Sequence, residues 1–436
     1  MKKLNWKEKY KDKIFTADEA VKHISSGDKI IFGDWVGEPP ALVTALMQRA
    51  DELKDVCIIH GMSPGPNAYL LPEYKENFRH ISLFLGAKSR PGYRDGSVEF
   101  MGGSNFHEWP KMFESSSQLN PHWAFIQVSE PNEDGMCSFG NSCCFTEPAA
   151  RTASHIIAQV NPKFPKVGGK MISLDAIDYI VPQESPLYTI GRFEPDEKTK
   201  TIADYVADLV EDGSTLQMGI GALPDAIARN LVDKKHLGIH TETITEATMD
   251  LIRCGALDNS MKTIHKGVCI GAQAAGSEEF YRFMDGNPMF ELYPVDYVND
   301  PYVIGKNYKQ VSINACIEVD LRGQANSESI GGKQFSGIGG QLDHVRGARL
   351  SRGGKSILAL NSTVKRDSIS KIVPHFEAGN ITTVSRYDIQ YVVTEYGVAD
   401  LKYKTERERA HALIQVAHPD FREELTYEAK KMGILY

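Results

Sequence analysis

The stretch from Asp212 to Ile227, "DGSTLQMGIGALPDAI", decides how the chain is expected to fold. Thr215–Met218 reads as a short strand, because polar turn residues precede it and Gly219 follows it. Pro224 then predicts a helix through Leu231, since proline is tolerated in the first helical turn. A strand that passes through a glycine turn directly into a helix is typical of α/β folds with parallel strands.

The segments on either side extend this pattern. Ile202, Val206 and Leu209 recur at helical spacing, which predicts a helix before the strand. Leu237–Thr241 is an apolar run that predicts a second strand after the helix. Helix, strand, helix and strand in this order indicate a parallel sheet flanked by helices.

The same order of elements occurs near the N-terminus. A helix begins after Thr16, which has capping-box spacing, and a strand follows at Lys29–Phe32. Pro40 opens a helix expected to reach about Leu53, and Val56–His60 is the next strand. Four positions coincide between the halves: Gly27 with Gly213, Gly33 with Gly219, Pro40 with Pro224 and His60 with His240. The repeat predicts two related α/β domains, although generic βαβ units would also give this order.

The charged segment Gly191–Lys200 separates the two halves, because it contains a proline and has no apolar periodicity. It predicts an N-terminal domain at residues 1–190 and a C-terminal domain at residues 201–436. Glu242 follows the repeated strand of the second half, whereas Met62 occupies the matching position of the first. The halves are therefore not equivalent in function.

The composition is that of a soluble globular protein with two domains. The chain has 436 residues, of which 42% are hydrophobic, and a formal net charge of -8. This balance gives no reason to expect nucleic acid or a membrane as a partner. The charged N-terminal stretch has no secretory pattern, so we expect a cytoplasmic protein. The seven cysteines are odd in number and form no CxxC pair, which favours reduced thiols over disulfides or a zinc site.

Several catalytic motifs are incomplete. Pro224 stands where the dinucleotide fingerprint requires a third glycine, and Arg349 stands where a P-loop requires its first. His107-Glu108 lacks the second histidine of a zinc protease, and no G-x-S-x-G segment occurs. A cysteine nucleophile stays open, although each cysteine fits a buried position better.

Two glycine-rich segments are candidate ligand loops. Gln217–Pro224 joins a strand to a helix, and its backbone N–H groups could hold a phosphate or an oxyanion, or the segment could be only a tight turn. Ser336–Ala348 is denser, with Gly337, Gly339 and Gly340 in four residues. Such spacing is unfavourable unless the backbone needs positive φ or close contact with a ligand.

Glu242 is the candidate reactive carboxylate. It is expected just past a strand, where open α/β sheets bind ligands, and a glutamate is ionised at neutral pH. A carboxylate can attack an activated acyl group to give an acyl-enzyme. The alternative is an ordinary solvated side chain. Glu246 competes for the role but fits the first turn of a helix expected over Glu246–Cys254 better.

At these residues the sequence resembles the acetyl-CoA hydrolase/transferase family, in particular its butyrate and 4-hydroxybutyrate CoA-transferase branch. The segments that carry the resemblance are "DGSTLQMGIGALPDAI" (212–227), "KKHLGIHTE" (234–242), "YVNDPYVI" (297–304), "VSINACIEVDLRGQ" (311–324), "SGIGGQLDHVRGA" (336–348), "SKIVP" (370–374), "YVVTEYGVADL" (391–401) and "AHPDFR" (417–422). Looser matches in the first half are "GEPPALV" (37–43) and "QVSEPNEDGMCSFG" (127–140). The resemblance extends over nearly the whole chain.

The resemblance implies two related open α/β domains with the active site between them, and Glu242 as the nucleophile. The residues expected to contact CoA are Gln217, Met218, Gly219, Ile220, Gly221, Ala222, Gly337, Gly339, Gly340, Ile317 and Lys371. The N–H groups of Gly339 and Gly340 are candidates for oxyanion stabilisation. CoA and acyl-CoA would be substrates with short-chain carboxylates, no cofactor or metal would be permanently bound, and a homodimer or larger homo-oligomer is expected.

The implied reaction is a ping-pong CoA transfer through a glutamyl-CoA thioester. Two alternatives stay open: an acyl-CoA hydrolase on the same site, and a non-catalytic sensor of CoA esters or sugar phosphates. Trp35, Met62, Phe106, Trp109 and His344 are candidates for the acyl pocket, although single aromatic residues belong more often to the core.

Three departures from the family pattern are expected beside the site. Thr243–Ala247 replaces the family's M-[IF]-[ST]-D-G, and His344 replaces an aromatic residue. Tyr403 replaces a glycine. The departures bear on the preference for the acyl group more than on the type of reaction.

Overall fold

The computed structural model describes residues 5–115 and 118–436. Within them, no helix is both long and apolar enough to cross a bilayer. The α-helices are α1 Trp6–Lys9, α2 Ala17–Ala20, α3 Pro40–Gln48, α4 Arg90–Asp95, α5 Trp109–Ser115, α6 Thr146–Thr152, α7 Glu197–Leu209, α8 Ala222–Arg229, α9 Glu246–Arg253, α10 Glu278–Met284, α11 Val295–Val298, α12 Pro301–Ile304, α13 Gln341–Leu350, α14 Glu406–Val416 and α15 Arg422–Lys431.

The strands are short, as expected for an α/β protein. They are β1 Lys29–Phe32, β2 Val56–His60, β3 Phe78–Ser82, β4 Val98–Phe100, β5 Trp123–Val128, β6 Met136–Ser138, β7 His155–Val160, β8 Gly168–Gly169, β9 Met171–Ser173, β10 Tyr179–Pro182, β11 Thr215–Met218, β12 Gly238–Thr245, β13 Cys269–Ala275, β14 Phe290–Leu292, β15 Gln310–Ala315, β16 Glu318–Asp320, β17 Ala325–Asn326, β18 Ser329–Ile330, β19 Lys333–Gln334, β20 Lys355–Ala359, β21 Thr363–Val364, β22 Ile369–Ser370, β23 Ile372–Val373, β24 Tyr391–Thr394 and β25 Gly397–Asp400.

The chain divides into two compact units. Unit 1 comprises residues 1–191 and 270–298, of which residues 1–4, 116 and 117 lie outside the described part. Its sheet has the order β10-β7-β5-β1-β2-β3-β4, and its strands are parallel. The order reverses at β1, which pairs with β2 on one side and β5 on the other. The core of this unit includes the buried side chains of Ile30, Phe32, Ile58 and Phe125.

Unit 2 comprises residues 192–269 and 299–436. Its sheet runs in the order β25-β24-β20-β15-β11-β12. These strands are parallel except β25, which is antiparallel to β24. Val319, Leu358, Val392 and Leu413 are among the buried residues of its core. Each unit thus has an open, largely parallel sheet with helices, which confirms the predicted fold class.

The repeated element order is present in both units. Gly27 and Gly213 both have positive φ, 81° and 72°. Gly27 N donates to Lys54 O at 3.0 Å, and Gly213 N donates to Lys235 O at 2.9 Å. Each glycine therefore links the turn before the first strand of the repeat to a lysine that precedes the second strand of the repeat.

Helix boundaries differ from the predictions at two prolines. The helix that Pro40 opens ends at Gln48 rather than about Leu53, because a separate 3₁₀ turn follows at Ala50–Glu52. The helix predicted to begin at Pro224 and reach Leu231 spans Ala222–Arg229 instead. Proline fits its third position because the first helical N–H groups have no partner within the helix.

The segment 270–298 belongs to unit 1. The sequence had instead placed it within a continuous C-terminal domain, residues 201–436. The N–H groups of Cys143 and Cys144 donate to Ala272 O at 3.1 and 2.8 Å, and Val295 N donates to Cys144 O at 2.9 Å. β14 also pairs with β8. These bonds join residues far apart in the sequence, so local sequence patterns gave no sign of them.

Tyr403 is a strained residue at the amino edge of the unit 2 sheet. It has φ 59° and is 92% exposed. Asp400 pairs with Tyr391 at the start of β24, so the loop that follows lies at the edge opposite the carboxyl ends of the parallel strands. The prediction that this departure lies beside the site is therefore wrong. The left-handed backbone explains why the family has glycine here.

We predict that Tyr403→Gly raises the free energy of unfolding. Left-handed φ costs a non-glycine residue about 1–2 kcal/mol, and the greater freedom of glycine in the unfolded chain offsets part of this gain. The expected net gain is about 0.5–1 kcal/mol, measured by thermal or urea unfolding. Tyr387→Gly is the control, because Tyr387 is also exposed, at 70%, but is not among the residues of positive φ. A loss of stability in Tyr403→Gly comparable with that in the control would contradict the prediction.

Candidate active site

Glu242 lies within a strand rather than after one. β12 continues to Thr245, beyond the predicted end at Thr241. Its paired register with β11 covers Gly238 and Ile239 only, and Thr241 Oγ1 donates to Met218 O at 3.2 Å. Of the eight residues of β12, seven are buried and Glu242 alone has intermediate exposure. The strand therefore presents one carboxylate at the carboxyl edge of the sheet, where open α/β folds bind ligands.

Two residues from other segments of unit 2 converge on this carboxylate. Asn299 Nδ2 donates to Glu242 Oε2 at 2.8 Å, and Asn299 is fully buried. A Cβ built on Gly340 would overlap both Glu242 Oε2 and Asn299 Nδ2, so only glycine fits without a shift. Gly340 is the N-cap of α13, a helix of ten residues. The carboxylate thus lies at a helix N-terminus, where N–H groups and the helix dipole favour negative charge.

Asn299 is a site residue that the sequence did not single out. It belongs to the matched segment 297–304, in which Asp300 caps α12 by accepting a hydrogen bond from Tyr302 N at 2.8 Å. An asparagine next to a capping aspartate is an ordinary turn pattern. Only the fold, which places it against a strand 57 positions away in sequence, identifies the contact.

The first two residues of the first glycine loop, Gln217 and Met218, have buried side chains. Gln217 Oε1 accepts hydrogen bonds from Ser312 Oγ, Ile313 N and Asn314 Nδ2 at 2.8, 3.2 and 3.1 Å. The Gln217 side chain therefore joins β11 to β15. Met218 is buried, whereas Ile220 is 39% exposed. The predicted contacts of this loop with CoA stay predictions.

The second glycine loop leads into α13. Gly339 has φ 53°, a left-handed conformation that favours glycine, and Gly337 is buried. Gln341, the first helical residue, donates through Nε2 to Ala315 O at 2.8 Å, which fixes the helix start at the end of β15. Beyond β15, Ile317 is partly buried, and its N–H donates to Asn326 O at 2.8 Å.

Lys371 lies near the carboxyl end of β15. Its ammonium is 3.5 Å from Cys316 O, and its backbone N–H donates to Ser362 O at 2.8 Å. Burial lowers the pKa of Lys371 from its ordinary value. The structure thus brings Lys371 to the carboxyl edge that also carries Glu242 and the glycine loops. Their roles toward CoA stay predictions.

The candidate acyl-pocket residues fall into different environments. Trp35 and Met62 line a cavity of about 190 Å³ in unit 1. Phe106 and Trp109 are buried, with ring centroids 4.3 Å apart, and belong to the core. His344 is buried on α13, and neither ring nitrogen has a hydrogen-bond partner in the described part of the chain. Burial lowers its pKa to about 3, so it is neutral at physiological pH.

The segment after Glu242 belongs to regular secondary structure. Thr243, Ile244 and Thr245 are buried in β12. Glu246 begins α9 and lies 3.4 Å from the guanidinium of Arg192, which fits the prediction of a first-turn helix residue. The unusual sequence after Glu242 therefore completes a strand and starts a helix.

Two buried carboxyl groups in unit 1 also escaped the sequence patterns. Asp34 and Glu38 follow β1, the strand at which the sheet order reverses, and are 4% and 1% exposed. Burial raises the pKa of each to about 7. Tyr188 Oη donates to Glu38 Oε1 at 3.4 Å, and His60 Nδ1 lies 3.7 Å from Glu38 Oε2.

Two family models match the chain. The acetyl-CoA hydrolase/transferase N-terminal domain matches residues 1–189, and the C-terminal domain of the same family matches residues 276–429. The chain belongs to the acetyl-CoA hydrolase/transferase family. This confirms the resemblance stated from the sequence. Neither a metal-binding cluster nor a disulfide is found in the described part of this family member.

Relatives that are 33–45% identical to the chain are named CoA-transferases, and more distant ones at 23–24% identity are named acetyl-CoA hydrolases. The chain is 45% identical to 4-hydroxybutyrate coenzyme A transferase of Clostridium kluyveri over 98% of this chain and 100% of that protein. It is 40% identical to succinyl-CoA:cyclohexane-1-carboxylate CoA transferase of Geobacter metallireducens, over 99% and 98%. Among solved structures, 4-hydroxybutyrate CoA-transferase from Porphyromonas gingivalis matches with a TM-score of 0.85 and 37% identity, over 98% and 100% of the two chains.

Proposed function

We propose that this family member is a CoA-transferase that moves CoA between a short-chain acyl-CoA and a free carboxylate. The observation that carries the proposal is the convergence of Asn299 and Gly340 on the Glu242 carboxylate. The carboxylate is accessible, oriented by a buried amide and placed at the N-terminus of α13. A nucleophile in a reaction at an activated carbonyl requires these three properties.

The first half-reaction consumes the acyl-CoA donor. A Glu242 oxygen bonds to the thioester carbonyl carbon, the C–S bond breaks, and CoA leaves as the thiolate. The acyl group is then held on Glu242 as a mixed anhydride. The thiolate attacks the Glu242 carbonyl carbon, and the donor's acyl group leaves as a carboxylate. Glu242 is left as a thioester of CoA, and no proton or electron is gained or lost.

The second half-reaction is the reverse with a different acid. The acceptor carboxylate attacks the glutamyl thioester and releases CoA thiolate, which then takes the acyl group from the anhydride. Asn299 Nδ2 and the N–H groups at Gly339 and Gly340 are the proposed donors to the oxyanions of these steps. Binding of the distant part of CoA can drive the unfavourable steps at the reacting atoms.

The proposed CoA contacts follow the carboxyl edge of the unit 2 sheet. They are the main chain at Gly219–Ala222, the loop at Gly337–Gly340, Ile317 and Lys371. The choice of 4-hydroxybutyrate is supported by the relative from Clostridium kluyveri, and that of butyrate by the butyryl-CoA:acetate CoA-transferase of Anaerostipes caccae. Assembly as a homodimer or larger homo-oligomer, a cytoplasmic location and the absence of a resident cofactor are parts of the same proposal.

A panel of donors and acceptors tests this function. The purified chain is incubated with acetyl-CoA or butyryl-CoA and each of acetate, propionate, butyrate, crotonate, 4-hydroxybutyrate and succinate. We expect new acyl-CoA to form with at least one acceptor, with parallel lines in double-reciprocal plots. Exchange of labelled acetate into acetyl-CoA without a second acid is expected as well.

The alternatives give different results in this panel. Release of free CoA at the same rate with and without an acceptor would identify a hydrolase. Tight binding of acyl-CoA with no exchange and no release would identify a sensor. Either result would overturn the transferase proposal.

A further inference from the structure

The hairpin formed by β21 and β22, residues 363–370, has an unusual tip. Thr363 pairs with Ser370 and Val364 with Ile369. The three tip residues Lys365, Arg366 and Asp367 all have left-handed φ, 54°, 56° and 65°. Left-handed backbone is unfavourable for most residues other than glycine, asparagine and aspartate, so three consecutive cases that include a lysine and an arginine are exceptional. Strained backbone of this kind is concentrated at functional sites.

The charges at the tip are not balanced. Asp367 is paired with the Lys198 ammonium and accepts a hydrogen bond from Thr363 Oγ1. Lys365 and Arg366 are exposed, and neither side chain has an ion-pair or hydrogen-bond partner among residues 5–115 and 118–436. Two adjacent cations therefore stay unpaired on a chain whose net charge is -8. Lysine and arginine at such a point are suited to phosphate groups.

The hairpin is held at the same edge of the sheet as Glu242. It follows β20 directly, and Ser362, at its base, donates through N and Oγ to the Glu395 carboxylate, both at 2.8 Å. β20 and β12 are separated in the sheet by β15 and β11. Three strand spacings amount to about 14 Å, a distance that the extended pantetheine arm of CoA can bridge between its thiol and its phosphates.

We propose that Lys365 and Arg366 bind the phosphate groups at the nucleotide end of CoA. The left-handed tip places both cations side by side, and the anchored base keeps them at a fixed distance from Glu242. Between the two ends lie the glycine loops, Ile317 and Lys371, which the pantetheine arm would pass. This inference rests on the proposed function, since it assumes that the thioester of CoA reacts at Glu242.

The test is calorimetric titration of the full chain with CoA, dephospho-CoA and pantetheine. The variant is Lys365→Asn/Arg366→Asn, because asparagine removes the charge and tolerates left-handed φ. Lys234→Asn/Lys235→Asn is the matched control, since these two lysines precede β12 at the opposite edge of the sheet. We expect the hairpin variant to bind CoA about tenfold more weakly, with a smaller dependence on salt, and the control to bind like the wild type.

The three probes separate the outcomes. Pantetheine, which lacks the phosphates, is expected to bind both variants and the wild type alike. A difference that persists with dephospho-CoA assigns the contact to the pyrophosphate, and one that disappears assigns it to the 3′-phosphate. Unchanged CoA affinity in the hairpin variant, or equal weakening of pantetheine, overturns this assignment alone. Failure of the wild-type chain to bind CoA overturns the proposed function as well.

Discussion

Glu242→Gln is expected to lower kcat for CoA transfer by at least about 10³-fold, because the amide cannot form the acyl-enzyme. The amide oxygen can still accept the hydrogen bond from Asn299 Nδ2, so the fold and the binding of CoA are expected to be kept. Glu242→Asp keeps the charge but withdraws the carboxylate by one methylene, and a displacement of about 1 Å is expected to cost about 10²-fold. Steady-state rates with saturating donor and acceptor measure both effects.

Glu246→Gln is the matched control for this prediction. Glu246 lies about one turn's length of sequence, four residues, after Glu242 and is largely buried, but its carboxylate faces Arg192. Its substitution is expected to change stability more than turnover. Full activity of Glu242→Gln together with an inactive Glu246→Gln would move the nucleophile to Glu246 and contradict the assignment.

The second large effect is expected for Gly340→Ala. The added methyl group would occupy the space of Glu242 Oε2 and Asn299 Nδ2. Asn299 is fully buried beside the start of α12 and has little room to move, so the carboxylate is displaced instead. We expect kcat to fall by about 10²-fold or more while the chain stays folded. Kinetics and the thermal unfolding midpoint measure the two parts of this prediction.

Gly103→Ala serves as the control for the substitution itself. A Cβ at Gly103 has no neighbour within 4 Å, and its φ is not in the left-handed range. It is expected to keep the wild-type rate and midpoint. If Gly340→Ala also kept the wild-type rate, the close packing of Gly340 against Glu242 would have no part in the reaction.

The sequence predicted the fold well where the signals are local. The capping box at Thr16, the strand Lys29–Phe32 and the glycine turn before each repeated strand are all present. The end of β12 was missed because Glu242, Thr243 and Thr245 are polar and only Ile244 is apolar, a composition typical of the end of a strand. The packing of 270–298 on unit 1 was missed because its hydrogen bonds join distant segments.

The candidate site was predictable in part. Glu242 and the loop at Gly337–Gly340 were identified from the sequence, and the structure places the loop's last glycine against the carboxylate. Asn299 could not be identified from the sequence, since an asparagine before the capping residue Asp300 is an ordinary turn pattern. Gln217 was expected to line the CoA site, but its side chain is engaged between strands, which only the three-dimensional arrangement reveals.

The most direct test of the account is detection of CoA on Glu242 itself. The chain is incubated with acyl-CoA and no acceptor, treated with borohydride or digested directly, and its peptides are measured by mass spectrometry. We predict a CoA thioester, or the alcohol left by its reduction, on the peptide that contains Glu242, and neither in Glu242→Gln. Turnover without any such adduct, or an adduct on another residue, would contradict the central claim.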